Sequence, residues 1–549
     1  MFKYIVFYYL LFFSLFLINK ATTEVPNDTY TETLYISRLK NQKIFVQFNY
    51  GIKTNSFNTS IFDLFPRTIS DLSKTYSIEY LSFSLSFSNW LTSDWGYQPK
   101  PEHPVGASIK VHFKEGSNPD ILWPNLVQTM SGIFCGSWKD LDPFFTKSIS
   151  KYHKEAIVSE ESVCTENFSP FLKLLPCKGT AGLASLMNTE KFYEANYHSI
   201  SLEFNSTQKS LNLFANYVEG NKKNSNYKNF DFESIFGKKL GNYKCNLASS
   251  SKIYIEMTKD MNVNPLPNSV FEKFNKKFGV YDNLNTDISS ISVLYENPYI
   301  KGRERLTYSP LISVQSSTSH IGEQSGSIIT KIWNRYNKNI PISLSQSLPW
   351  YIKVYIHSLS FQCNHIDIEY TFNKIIQSKI RDRPYYFKLT SELPPSSLCI
   401  LKFNYGLHFL KTTEYPPDAE KGRVIEGVML ELELPIGDYD KNVTYYDLEK
   451  YDVLTSNENI KFIVYGHPIS IQIPLPDFSM PFNVICMVCT IISLFYGPLH
   501  TMSTKVLFLS TGSDKELPLL RRIILKFKNK LVNIFNKKNN IPDDKVKVE

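Results

Sequence analysis

The 27 residues between Asp477 and Lys505 read FSMPFNVICMVCTIISLFYGPLHTMST and include no Asp, Glu, Lys or Arg. An α-helix crosses a bilayer with about 20 predominantly apolar residues. Gly497 and Pro498 interrupt the second half of the stretch, which neighbouring helices can accommodate by covering the freed backbone groups. The stretch therefore predicts one transmembrane helix over residues 481–504.

A second apolar run lies at the N-terminus. Lys3 is followed by an apolar stretch, Tyr4–Ile18, and by a polar break before Ala21. A basic start, a short apolar run and a small residue after it are typical of a secretory signal peptide. We expect residues 1–21 to form this signal and to be removed, with a retained anchor as the alternative.

The charge distribution predicts the orientation in the membrane. The tail, residues 505–549, has 11 Lys and Arg against 5 Asp and Glu, and so carries +6 of the chain's formal +8. Basic flanks stay cytosolic, which places residues 22–480 in the lumen. Without the signal and the tail the chain is near neutral, so nothing indicates a nucleic-acid surface. Apolar residues at helical spacing over residues 520–535 predict an amphipathic helix, lying on the anionic leaflet or on a partner subunit.

The lumenal part is predicted to be mainly β, with β-sandwich-type domains and a few helices. We expect an N-terminal α+β or β domain over residues 22–240 and a C-terminal β-sandwich over residues 241–480, separated by an Asn- and Lys-rich solvated loop, Glu219–Leu240. Helices are expected at Arg67–Lys74, Ile121–Phe134 and Ala181–Glu190. Alternating or β-branched runs predict strands at Leu34–Ile36, Lys43–Tyr50, Ile78–Phe87, Ala107–Phe113, Ser199–Phe204, Lys252–Met257, Trp350–Gln362, Ile366–Phe372, Cys399–Phe409, Val428–Leu434 and Ile460–Ile473.

Six of the eight cysteines lie on the lumenal side, where an oxidising environment permits disulfides. Cys363 and Cys399 each fall in a strand-like run of the C-terminal half, which favours a local bridge. The connectivity of the other four stays open, and an intermolecular bond is one alternative; these are Cys135, Cys164, Cys177 and Cys245. Glycosylation is predicted at the sequons Asn27, Asn58, Asn167, Asn205 and Asn442, of which Asn167 is weakened by Pro170.

Catalytic and metal-binding motifs are absent from the sequence. There is no His-Glu-x-x-His pattern, no nucleophile elbow, no phosphate-binding loop and no clustered set among the ten His, so no metal or cofactor is predicted. Cys164 with His198 as its base is an enzymatic alternative that rests on residue type alone. The Cys486-x-x-Cys489 pair lies inside the membrane helix, which favours packing over redox chemistry.

Three groups of segments are too particular to follow from fold physics. They are Ser131–Cys135 with Val163–Asn167 and Leu174–Cys177; Leu348–Tyr351 with Glu414–Asp418; and Leu475–Cys486. Together they resemble the PIG-T family, subunits of the GPI transamidase of the endoplasmic reticulum, from about Leu34 to Thr504. Glu219–Leu240 and the basic tail have no counterpart in the resemblance.

The resemblance implies an accessory role in the endoplasmic reticulum membrane, with a single type I span. In this family the catalytic Cys and His belong to a caspase-like partner, PIG-K, and the subunit stabilises the complex and helps to present the proprotein whose C-terminus receives the GPI anchor. Membrane lipid and GPI are further implied partners. The motif position that forms a disulfide with PIG-K matches Cys164.

Several alternatives remain open at this point. Cys164 could instead close an internal bridge to Cys177. Pro476 and Pro481 could simply end the last strand and begin the helix, or hold the helix against other subunits. The rival functions are an autonomous lumenal amidase or glycosidase and a type I surface adhesin.

Overall fold

The computed structural model describes residues 28–39, 43–55, 64–136, 138, 145–161, 163–219, 229–240, 244–258, 261–273, 276–283, 290–295, 310–320, 324–416, 418–435, 459–475, 479–505, 526 and 528–529. The chain divides into two compact units, residues 1–475 and 476–549. The first unit holds every strand that the structure describes and is called the extramembrane part below. The predicted signal peptide lies outside the described residues, as does nearly all of the predicted amphipathic helix in the tail.

An 11-stranded sheet forms the first half of the extramembrane part. In spatial order its strands are β12 (Ser269–Lys273), β13 (Lys276–Asp282), β10 (Ser250–Met257), β1 (Thr29–Arg38), β2 (Ile44–Lys53), β8 (Ser210–Val218), β7 (Tyr197–Asn205), β3 (Ile78–Phe87), β4 (Gly106–Phe113), β6 (His153–Val158) and β5 (Thr146–Ser150). A small sheet accompanies it, formed by β11 (Met261–Asn264), β14 (Ser292–Tyr295) and β9 (Asn229–Asp231).

The sheet continues past the predicted domain boundary at residues 240 and 241. Strand β10 pairs in parallel with β1, with Leu34 opposite Ile253. The structure therefore places the change of sheet later, between β14 and the strand that begins at Ile312. A parallel pairing across more than 200 residues leaves no mark in the local sequence pattern.

Two five-stranded sheets form a β-sandwich in the second half. One contains β15 (Ile312–His320), β16 (Ser325–Asn334), β22 (Ser397–Leu407), β18 (Ile352–Cys363) and β19 (Ile366–Asp367). The other contains β20 (Tyr370–Ile376), β21 (Tyr385–Leu393), β17 (Ile340–Leu348), β24 (Met429–Pro435) and β25 (Asn459–Tyr465). A two-stranded sheet joins β23 (Arg423–Ile425) to β26 (Ile469–Ile471). The mainly β prediction is confirmed.

Alternation of buried and exposed side chains explains why these segments form strands. In β16, Ile328, Thr330 and Ile332 are fully buried whereas Lys331 is exposed. Successive side chains of a strand point to opposite faces, so one face enters the core. In the sandwich core the ring of Phe387 from one sheet meets that of Phe403 from the other edge-on, with centroids 5.7 Å apart.

The two halves share a continuous apolar core. Aromatic side chains from one face of the 11-stranded sheet pack into the sandwich cluster, among them Tyr35, Phe45 and Tyr254. The ring of Tyr97 stacks on Phe462 with centroids 5.7 Å apart, and its hydroxyl accepts a hydrogen bond of 2.9 Å from the backbone N–H of Ile312. The halves therefore fold as one body rather than as independent domains.

Six helices cover the other regions of the extramembrane part that the structure describes. They are α1 (Arg67–Thr75), α2 (Thr92–Trp95), α3 (Pro119–Phe134), α4 (Thr165–Lys173), α5 (Thr189–Tyr193) and α6 (Phe232–Phe236), with 3₁₀ turns at Leu183–Leu186, Thr412–Glu414 and Ala419–Lys421. The helices predicted at Arg67–Lys74 and Ile121–Phe134 are confirmed. Helix α3 buries Trp123, Met130 and Phe134 against the sheet, where Phe134 and Phe83 have centroids 4.6 Å apart.

Four predicted segments differ from the structure. The helix predicted at Ala181–Glu190 is a 3₁₀ turn and a short helix, because Gly182 has a φ of +67° and Asn188 caps α5. Part of the loop predicted at Glu219–Leu240 is β9 and α6, whose Phe232 and Phe236 are buried. The runs Ile366–Phe372 and Ile460–Ile473 each divide into two strands, since the chain crosses between sheets within them.

The second unit contains α7 (Ser479–Thr504), of which residues 482–504 are long and apolar enough to cross a membrane. The helix continues through Gly497 and Pro498. Cys486 and Cys489 lie on it as free thiols. The predicted transmembrane helix is confirmed as an apolar helix of spanning length.

Candidate functional site

The disulfide pattern isolates two thiols in the extramembrane part. Cys363 pairs with Cys399, as predicted, on neighbouring strands with Cα atoms 3.9 Å apart. Cys177 pairs with Cys245, with Cα atoms 6.1 Å apart. The internal bridge from Cys164 to Cys177 considered above is therefore absent, because Cys177 is already paired. Cys135 and Cys164 are free and exposed.

Cys164 lies at the N-cap of α4, with extended backbone angles (φ −117°, ψ 170°). Its backbone N–H donates to the side-chain oxygen of Asn167 over 2.6 Å. Its carbonyl accepts a hydrogen bond from the hydroxyl of Tyr193 and another, of 3.1 Å, from the backbone N–H of Asn167. The backbone around this thiol is thus held on both sides, while the residue itself is exposed.

Asn167 also connects the two helices that carry the free thiols. Its amide nitrogen donates to the carbonyl of Phe134, the last residue of α3, and Cys135 follows in a left-handed conformation with φ +54°. Asn167 is 2% exposed. A glycan must be attached to this same amide nitrogen, so the structure does not favour the glycosylation predicted at Asn167. The residue acts as a buried cap instead.

An aromatic cluster lies behind Cys164. His198 is enclosed by Phe87, Phe192 and Tyr193, whose ring centroids lie 4.9, 4.9 and 5.1 Å from its own. Burial lowers the pKa of His198 to about 4. Tyr193, not His198, contacts the backbone of Cys164, and no hydrogen bond between Cys164 and His198 is present among the described residues. The two do not form the nucleophile and base that the enzymatic alternative requires.

A buried carboxylate joins the segment after Cys177 to the sheet. Glu32 is fully buried and accepts hydrogen bonds from the backbone N–H of Leu183, at 3.2 Å, and from the hydroxyl of Ser251, at 2.6 Å. A side chain at Gly182 would approach both Glu32 and Cys245 to within 3 Å. Glycine at this position lets the chain pass between the carboxylate and the bridge.

Strand β6, which leads toward Cys164, is joined to the sandwich by buried charges. Glu155 lies 3.2 Å from Lys110 and 3.7 Å from Lys147, and Lys147 lies 3.2 Å from Glu426 of the second half. Burial alone would raise the pKa of Glu155, but the two lysines lower it to about 2. Lys110 also donates to the hydroxyl of Tyr465 over 3.2 Å. Nothing in the local sequence indicated this network, because its members are far apart in the chain.

A second contact between the halves lies just after β6. Glu160 accepts a hydrogen bond of 2.8 Å from the backbone N–H of Val424 and lies 3.4 Å from the guanidinium of Arg423. Arg423 is 5% exposed, and it donates to the carbonyl of Glu414 over 3.2 Å. The turn before Cys164 is therefore attached to the C-terminal half.

The segments Leu348–Tyr351 and Glu414–Asp418, which stood out in the sequence, are linked through Arg381. Arg381 lies over the ring of buried Trp350, 4.9 Å from its centroid, and pairs with the carboxylate of Glu414. Tyr415 donates to the carbonyl of Pro474 over 2.7 Å. These contacts account for the two segments structurally.

Of the other four sequons, the structure describes only the one at Asn205. Asn205 ends β7 at a hairpin turn, where its side-chain oxygen accepts hydrogen bonds of 2.9 and 3.1 Å from the N–H groups of Thr207 and Gln208. Asn27, Asn58 and Asn442 lie outside the described residues. Across the part of the chain that the structure describes, no group of three or more His, Cys, Asp or Glu could hold a metal ion.

The β-rich extramembrane part and the one apolar helix of spanning length among the described residues fit a single-pass membrane protein. A family model described as "Gpi16 subunit, GPI transamidase component" matches residues 9–218 and 217–532. The chain belongs to this family and is a subunit of GPI transamidase. The match includes Glu219–Leu240 and much of the basic tail, so the family extends further than the segments first suggested.

Similar proteins agree with this assignment. The GPI-anchor transamidase component PIGT of Homo sapiens is 26% identical over 88% of this chain and 91% of the human protein. The PIG-T homologue of Schizosaccharomyces pombe is 25% identical, covering 91% and 92%. The component GPI16 of Saccharomyces cerevisiae is 22% identical, covering 88% and 90%.

Solved structures add little. An exo-β-N-acetylglucosaminidase of Vibrio harveyi is 11% identical over 30% of this chain and 19% of its own, with a TM-score of 0.17. The collagen adhesin of Staphylococcus aureus is 7% identical over 81% and 95%, with a TM-score of 0.15. Likeness at this level supports neither of the rival functions.

Proposed function

We propose that this subunit is non-catalytic and holds the caspase-like catalytic subunit of the transamidase, PIG-K, through an intermolecular disulfide from Cys164. The complex lies in the endoplasmic reticulum membrane, with the extramembrane part in the lumen. The subunit stabilises the assembly and helps to present proprotein and GPI lipid to the partner, which supplies the catalytic Cys and His.

The observation that carries the proposal is the state of Cys164. Cys164 is exposed and free, while Cys177, the internal partner considered from the sequence, is paired with Cys245. Its backbone is fixed by Asn167 and Tyr193. A thiol held at the surface on a fixed backbone suits a bridge to another chain, because little conformational freedom is lost when the bond forms.

The surroundings of Cys164 also argue for a structural thiol rather than a nucleophile. Its neighbours are a buried amide, a tyrosine and an aromatic cluster. The imidazole of His198 belongs to that cluster, with its pKa lowered to about 4 by burial. Such a group takes up a proton poorly at neutral pH.

The test uses the complex purified from cells through a tag on this subunit. In non-reducing electrophoresis we expect a PIG-K adduct with the wild type that disappears on reduction. Cys164→Ser should abolish the adduct, whereas Cys135→Ser, at the other free thiol, should leave it intact. An adduct that persists in Cys164→Ser overturns the assignment. Location is checked separately, by sensitivity of the attached glycans to endoglycosidase H.

A further inference from the structure

We infer that Glu160 and Arg423 are positioning residues for the Cys164 thiol, so that the C-terminal sandwich sets where the intersubunit disulfide forms. The inference rests on the proposed function of Cys164. It concerns the attachment of the turn before Cys164 to the second half of the extramembrane part.

Glu160 lies close to Cys164 along the chain. Glu160 comes two residues after β6 ends at Val158 and four residues before Cys164. A free segment of this length could move its end by several ångströms, whereas the Cα atoms of a disulfide usually lie about 4.4–6.8 Å apart. Asn167 and Tyr193 hold the backbone of Cys164 from the helix side, and the preceding segment is its second support.

Two charged hydrogen bonds attach Glu160 to the C-terminal half. Glu160 uses both carboxylate oxygens, one toward the N–H of Val424 and one toward Arg423. The side chain of Arg423 is 6% exposed and that of Glu160 is 31% exposed, so water screens the pair only in part. Hydrogen bonds to charged groups are stronger than neutral ones.

Arg423 connects Glu160 to strand β26, near the end of the extramembrane part. Arg423 begins β23, which pairs with β26 (Ile469–Ile471), with Arg423 opposite Ile471. Its guanidinium also contacts the carbonyl of Glu414, and the next residue, Tyr415, contacts Pro474. The turn before Cys164 is thus connected to Pro474, near the end of the extramembrane part.

The contact between Glu160 and Arg423 is separate from the buried charges that join the two halves. The buried network of Lys110, Lys147, Glu155 and Glu426 already joins β6 to the sandwich. Because Glu160 is partly exposed and lies outside this network, its replacement leaves the two halves joined. Only the turn is released.

The experiment follows formation of the disulfide in detergent-solubilised complex from cells. The complex is reduced, the reductant is removed, and oxidised glutathione is added as the oxidant. The two thiols lose two protons and two electrons as the S–S bond forms, and one glutathione disulfide becomes two glutathione thiols. The adduct is followed by non-reducing electrophoresis in the wild type, Glu160→Gln, Arg423→Gln and the double variant.

We expect each single variant to form the adduct about threefold to tenfold more slowly, as the loss of one charged hydrogen bond implies. The double variant should be no slower than the slower single variant, because both changes remove the same contact. Glu160→Asp should restore part of the rate. The matched control is Glu433→Gln, which removes an exposed ion pair to Lys461 on the sandwich.

Two further readouts separate positioning from general damage. The rate at which a small alkylating reagent modifies Cys164 should stay unchanged, since the residue is exposed in either case, and the melting temperature of Glu160→Gln should match that of Glu433→Gln. Unchanged adduct rates in the Glu160 and Arg423 variants overturn this inference and leave the proposed function standing. Absence of a wild-type adduct overturns the proposed function itself.

Discussion

The side-chain oxygen of Asn167 accepts a hydrogen bond of 2.6 Å from the backbone N–H of Cys164, while its amide nitrogen donates to the carbonyl of Phe134. One buried amide therefore fixes the start of the helix that carries Cys164 and the end of the helix that precedes Cys135. Asn167→Ala removes both hydrogen bonds and leaves a buried carbonyl without this donor. We expect the free energy of unfolding to fall by about 1–3 kcal/mol, measured by urea denaturation.

Asn125→Ala is the matched control for that change. Asn125 lies on the exposed face of α3, and its amide only contacts the carbonyl of Ile121, at 3.4 Å. Its replacement should alter stability by less than about 0.5 kcal/mol. Equal losses in the two variants would contradict the special role of Asn167.

Glycosylation should differ between the sequons at Asn205 and Asn167. Asn205→Gln should remove one glycan, because Asn205 lies at a hairpin turn near the surface. Asn167→Gln should leave the glycan count unchanged, because Asn167 is 2% exposed and its amide is hydrogen-bonded. The measurement is the mobility of each variant before and after peptide N-glycosidase treatment. A shift in Asn167→Gln would contradict the buried placement.

Lys147 is the central cation of the buried network. Lys147→Met leaves Glu155 and Glu426 with Lys110 as the remaining lysine of the network, so one carboxylate loses its charge partner in the interior. We expect a loss of about 3–5 kcal/mol in the free energy of unfolding. The double variant Lys147→Met, Glu426→Leu should recover part of this loss, because it removes the stranded charge. Denaturant unfolding of the purified chain measures both.

The control for this prediction is Lys388→Met. Lys388 pairs with Glu431 over 2.9 Å, but the two side chains are 28% and 39% exposed. A pair at the surface contributes less than about 1 kcal/mol. If Lys147→Met cost no more than this control, the network would not hold the halves together.

The burial of His103 should make the protein less stable in mild acid. Burial, aided by Lys110, lowers the pKa of His103 to about 3, whereas histidine in an unfolded chain titrates near 6.5. The unfolded chain therefore binds more protons below this pH, so stability is complete above about pH 6.5 and falls as the pH drops toward 3. The loss attributable to His103 is about 1.4 kcal/mol at pH 5.5.

His103→Gln should remove this part of the pH dependence. The difference in unfolding free energy between pH 7.5 and pH 5.5 should shrink by about 1.4 kcal/mol relative to the wild type. Exposed His357→Gln serves as the control and should leave the difference unchanged. An unaltered pH dependence in His103→Gln would show that other groups determine the acid sensitivity.

Local patterns in the sequence were sufficient for the elements whose partners lie nearby. The 27 uncharged residues before Lys505 predicted a helix that the structure confirms, and alternating runs such as Ile78–Phe87 predicted strands with their correct bounds. The Cys363–Cys399 bridge followed because both residues lie in neighbouring strands of one antiparallel sheet, opposite each other in register. In each case the deciding interactions lie within a short stretch of chain.

Tertiary structure decided what depends on distant residues. The partner of Cys177, the burial of Asn167, the network around Lys147 and the contact between Glu160 and Arg423 all join segments that the sequence does not place together. Hydrophobic periodicity reports which face of an element enters a core, but it carries no information on which element packs against that face. The sequence thus determined a β-rich protein with one membrane helix and with Cys164 at a family motif. Only the packing of the two halves determined that Cys164 is free, exposed and held in place.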